Sequence, residues 1–203
     1  MTPPAVSITS EQVNSLPLLL GLMVDMGLPA LLDTHVTPHG NWEGASVGTV
    51  VSLWLSHILQ ERDHTMVSVR EWVNERALTS NTLLGITLRE TDCSDDRLAI
   101  ILALLGHPAT QAALDAALLQ RWIRVYRLPT KTVRLDSTSV SVYHEDVADD
   151  SLLQHGWSKE HRPDLRQFKL MLATLDPLGL PICCQPVAGN RNDNPLYVPA
   201  YQA

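Results

Sequence analysis

The chain reads as an α+β protein, a helical first part followed by a small antiparallel sheet. Three observations predict this. Apolar residues recur at three-four spacing through residues 46–126, the period of one buried helix face. Leu128-Pro129 then breaks the helical pattern. After it the chain becomes rich in Val, Thr and Ser, with two turn signals dividing three strand-length runs.

Within the first part, Ser46 is placed to cap a helix whose residues Val47, Val50, Val51, Trp54, Leu55, Ile58 and Leu59 share one face. Met66, Val69, Trp72 and Val73 repeat that pattern. Ser94 is a second N-cap, and Asp95 and Asp96 oppose the positive end of the helix dipole. Leu98, Ile101, Leu102 and Leu105 form the face of that helix, and Gly106 can end it. Pro108 suits the first turn of the next helix, Ala- and Leu-rich over 109–126. The hairpin around Gly106-His107-Pro108 has few polar side chains before Gln120, which argues against a DNA-reading helix-turn-helix.

Strands are predicted over 132–142, 167–175 and 180–187, with a polar, acidic loop over 143–156 and a turn at Asp176-Pro177-Leu178-Gly179. Short connections make them an antiparallel meander. Gly189-Asn190-Arg191-Asn192-Asp193-Asn194 is turn chemistry, and residues 195–203 begin a helix. The domains are accordingly 1–127, helical, and 128–203, sheet-bearing.

Composition narrows the function. Apolar residues make up 45% and charged ones 18%, a core-forming and not a disordered balance. The net charge of −7 opposes a whole-molecule grip on nucleic acid. Residues 1–120 hold 5 Lys/Arg against 13 Asp/Glu, whereas residues 121–169 hold 9 against 7. The cations therefore collect around Asp136 and the segment after it, as a phosphate contact requires. Several of them, from Arg121 to Arg134, sit near a helix end, where the dipole alone accounts for some. Cys93, Cys183 and Cys184 make no disulfide framework, and a cytoplasmic location fits best. The apolar run 15–26 is too short for a membrane span, and the N-terminus lacks a signal-peptide pattern.

The chemistry centres on Leu135-Asp136-Ser137-Thr138-Ser139. A carboxylate inside a β-branched strand is expected to be buried, and holding a metal ion is the commonest chemical reason for that. The plainer reading is an Asp at a strand edge bonded to nearby hydroxyls. The second segment is Gly156-Trp157-Ser158-Lys159-Glu160-His161-Arg162-Pro163-Asp164-Leu165-Arg166-Gln167. Its Lys159, Arg162 and Arg166 can contact phosphates and His161 can donate a hydrogen bond or move a proton; its plainer reading is a solvated loop. Trp54, Trp72 and Trp122 read as core anchors. Cys183 and Cys184 face opposite ways on a strand, and His35 and His39 have no Cys partner nearby, so neither pair reads as a metal site.

These two segments, with Pro181, Gly189-Asn190-Arg191-Asn192-Asp193 and Ser94-Asp95-Asp96-Arg97-Leu98, resemble the DDE transposases of bacterial insertion sequences, in the IS-four-like branch that carries a helical N-terminal domain. The resemblance runs from about Leu16 to the C-terminus. It implies an RNase H-like catalytic domain of which the first three strands are present, with Asp136 the first acidic residue of the catalytic triad and a ligand of Mg²⁺ or Mn²⁺. Lys159, His161, Arg162 and Arg166, by their residue types, are the candidates for nucleic-acid contact. The second Asp and the Glu of the triad have no counterpart here, and Asp193 matches the turn motif only. The expectation is a truncated transposase that is inactive alone and does not hold the metal stably. DNA at transposon ends, a second copy or a full-length relative are its implied partners, and no membrane is involved. The competing expectation is a non-enzymatic DNA-binding or protein-interaction module built on residues 1–127.

Overall fold

A computed structural model describes residues 8–143, 151–158 and 161–202. The helices are α1 (Leu16–Asp25), α2 (Leu28–His35), α3 (Val47–Glu61), α4 (Val69–Asn74), α5 (Ala77–Leu84), α6 (Asp95–Leu105) and α7 (Pro108–Tyr126). The strands β1 (Val133–Val142), β2 (Arg166–Leu175) and β3 (Leu180–Ala188) follow, then a 3-10 turn and α8 (Tyr197–Gln202). The chain divides into two compact units, residues 1–117 and 118–203, and the division falls inside α7. Among the described residues no single helix is long and apolar enough to cross a membrane.

The helical unit is organised around α3, against which α1, α2, α4 and α6 pack. Ser46 has extended backbone and its Oγ accepts the Thr49 N–H at 3.2 Å, so the cap forms as its residue type dictates. The α3 face meets Leu16 and Leu20 of α1, Leu32 of α2, Trp72 of α4 and Leu98 and Ile101 of α6 in one apolar core. Ser94 occupies the N-cap of α6 without a side-chain bond, and Gly106 closes that helix with an ordinary φ of −74°.

Polar groups clasp this core on two sides. Arg97 of α6 lies 3.8 Å over the Trp42 ring, and its Nη1 and Nη2 donate to the carbonyls of Glu43 and Ala45 at 2.7 and 3.2 Å. The same guanidinium stands 3.5 Å from the buried carboxylate of Asp92. Arg97 thereby pins the loop before α3 to the start of α6. On the other side, buried His57 meets the Trp72 ring edge-on and its Nε2 lies 3.3 Å from Ser68 Oγ.

In the second unit the sheet order is β1-β2-β3, antiparallel throughout, with a bulge in the β2–β3 ladder between Ala173 and Thr174. Burial alternates along β2: Gln167, Lys169, Met171, Ala173 and Leu175 are buried, and their neighbours half-buried. α8 packs across β1 and β2. β3 carries Pro181 and Pro186, both exposed and both without an amide proton.

Candidate nucleic-acid interface

The predicted cationic segment forms the lip of the sheet where β1 ends and β2 begins. Val142, Tyr143, His155, Arg162, Asp164, Leu165 and Arg166 line an open cleft of about 570 Å³ there. Arg162 donates from Nε and Nη2 to the two carboxylate oxygens of Asp164, at 2.8 and 2.6 Å, and from Nη1 to Tyr143 Oη at 3.2 Å. These bonds raise the Arg162 pKa, and Arg162 in turn lowers that of Asp164. The pair stands in solvent, where screening leaves it weak and open to competition from a phosphate oxygen. Arg166 Nη1 donates to the Leu153 carbonyl at 3.2 Å, which fixes its side chain beside the same cleft.

A buried serine shapes this lip. Ser158 Oγ accepts the Arg162 N–H at 3.1 Å, and its carbonyl accepts the His161 N–H at 3.3 Å. His161 adopts a left-handed φ of 56°, is exposed, and lines a separate cleft with Trp157 and Pro163. Lys159 lies outside the described residues, as do positions 144–150 of the predicted loop.

Behind the lip, three segments distant in sequence interlock. The backbones of Gln154 and Gln167 exchange two 3.0 Å hydrogen bonds. Gln167 Nε2 donates to the carbonyls of Trp157 and Gly189 at 3.0 and 2.9 Å. A Cβ at Gly156 would lie 2.3 Å from the Gly189 oxygen, and one at Gly189 would lie 2.0 Å from the Gln167 oxygen. Only glycine fits such backbone approaches. Sequence reasoning missed this knot and also Lys169, whose buried Nζ donates to Asp193 at 2.5 Å. That bond gives the Gly189–Asp193 motif a structural purpose. The available signal was a lysine in register with the inward positions of an alternating strand.

Asp136 sits elsewhere. It pairs with Leu172 in mid-strand, while Arg166 pairs with Val142 at the β1 end, six residues further along. At ~3.4 Å per residue the two positions are roughly 20 Å apart on the same face of the sheet. The Asp136 side chain is exposed, not buried, because β1 is an edge strand and its Asp136-Thr138 side opposes the one that buries Ser137. One carboxylate oxygen accepts the Ser137 N–H at 2.8 Å. Its neighbour Arg134 on that face is held by Asp176 at 2.7 and 2.8 Å. Among the described residues no group of three His, Cys, Asp or Glu side chains is placed to hold a metal ion. Asp136 can give Mg²⁺ one oxygen ligand, which does not amount to a built site for an ion that demands six. No family model, curated protein or solved structure matches this chain.

Proposed function

We propose that this chain is a transposase-like DNA-contacting protein whose Arg162–Arg166 lip meets the phosphate backbone. In this reading the sheet is the opening of an RNase H-like domain, and Asp136 is one ligand of a divalent-metal centre that these residues leave incomplete. The observation that carries the reading is the pre-arranged lip. Arg162 and Arg166 converge on one open cleft, and buried Ser158 and Gln167 brace the backbone behind them. The meander order, with an acidic residue in the middle of β1, supports the RNase H-like reading.

The test uses the whole chain and a labelled DNA duplex carrying a transposon end, titrated across a salt series. Affinity is expected only at low salt, since the chain is acidic overall. Replacing Arg162 and Arg166 together by Ala should weaken binding to all sequences alike and reduce the salt slope by roughly 2. No strand cleavage is expected with Mg²⁺ or Mn²⁺ present. Unchanged binding in the double variant would move any DNA contact off this lip. Cleavage that is lost in Asp136→Asn would refute the incomplete centre.

A further inference from the structure

We infer that Trp157 is a stacking platform for an unpaired DNA base. This rests on the DNA-contacting reading above and adds a site to it. Trp157 is 73% exposed, although an indole is among the side chains that gain most from burial. Its backbone is held tightly all the same. The Trp157 carbonyl accepts the Gln167 side-chain N–H at 3.0 Å, Gly156 before it abuts the Gly189 backbone, and Ser158 after it is buried. The ring therefore projects from a fixed stem, which spares a bound base most of the ordering cost.

The surroundings select the ligand. Trp157 walls two clefts, one shared with His161 and Pro163, the other of about 490 Å³ shared with Lys169, Asn192, Asn194 and Pro195. The Lys169 charge in the larger cleft is matched by Asp193, so the cleft is not an anion hole. Its remaining lining is an indole, a proline and two carboxamides. That set fits a neutral heterocycle: apolar surfaces for its faces, and amide donors and acceptors for its edge. A duplex base has both faces covered by its neighbours, so only a single-stranded or extruded nucleotide offers a free face to Trp157. Arg191, next to Asn192 in the chain, is exposed.

The experiment measures anisotropy of two fluorescein-labelled 20-mers at low salt, one of thymidylate and one of abasic sites with the same phosphates. The parent chain should bind the thymidylate strand about tenfold more tightly than the abasic one. Trp157→Leu should erase that preference by weakening only the thymidylate complex, and Trp157→Phe should keep most of it. Circular dichroism confirms that each variant is folded. Equal affinity of the parent for both strands, or an undiminished preference in Trp157→Leu, would overturn the stacking site while leaving the phosphate lip standing. Binding of neither strand would overturn the stacking site and leave the phosphate lip to the duplex titration.

Discussion

Adding one methyl group at Gly48 should cost the helical unit more than almost any other single-atom change. Gly48 is buried in the first turn of α3, where that helix crosses α2. A Cβ there would lie 2.0 Å from the Pro29 carbonyl oxygen and 2.6 Å from its carbon, against ordinary contact at 3.4 Å and beyond. Both obstacles are backbone, so no rotamer change relieves them and α2 must move by about 1.4 Å. Overpacking of this kind costs about 1–3 kcal/mol. The movement also stretches the 2.6 Å bond from the Gly48 N–H to Asp33 Oδ1, and hydrogen bonds to charged groups contribute about 1.5–3 kcal/mol. Together these give roughly 3 kcal/mol, or a fall in melting temperature of about 12–20 °C for a unit of this size. Gly21, inside α1, is the matched control: a Cβ there meets nothing within 4 Å. Gly21→Ala should stabilise by about 0.5–1 kcal/mol through helix propensity. Urea unfolding of the whole chain, followed by fluorescence of the buried Trp54 and Trp72, reads both changes. A Gly48→Ala midpoint equal to the parent's would refute the close α2–α3 packing, and below-parent stability in Gly21→Ala would refute the open space beside α1.

Arg97→Lys keeps the charge but loses the planar stack on Trp42 and the forked bonds to Glu43 and Ala45, so it should destabilise by roughly 2 kcal/mol in the same urea assay. Burial holds the His57 pKa below 6.5, against the opposing pull of Asp63 and Glu61. Below that pH the unfolded chain takes up a proton that the folded chain resists. The His57 contribution is therefore complete above pH 6.5 and is lost as pH falls, and this slope should vanish in His57→Asn. Thr65 and Ser68 hold the Asp63 carboxyl at about 2, so a second loss of stability should begin as pH drops below 3.8. Iodoacetamide at pH 8 should alkylate exposed Cys184 while sparing Cys93, whose thiol is pushed up to about 12 first by burial and then by Asp92; mass spectrometry after digestion distinguishes them, and urea should abolish the difference.

Local rules made much of the fold legible. The α3 cap, the three strands and the turn between β2 and β3 all follow from residues within a few positions of one another. α2 and α5 are too short and weakly patterned, at eight residues each, to be set apart in advance. Long-range features were not legible. Nothing near Gly156 announces that it will meet Gly189, and nothing near Lys169 points to Asp193, because both contacts depend on how β2 and β3 return. The burial of Asp136 was misjudged for a related reason. Strand composition does not reveal which strand ends at the rim of a sheet, and β1 is at the rim.

The prolines of β3 also govern how this sheet can grow. Without amide protons at Pro181 and Pro186, that margin offers an incoming segment a broken row of donors, whereas β1 contains no proline from end to end. A fourth strand, from the same polypeptide or from another molecule, is thus steered to the flank of β1. Every second side chain of such a newcomer would stand level with Asp136 on the same surface. An acidic residue among them would set a second carboxylate beside the one that Asp136 presents.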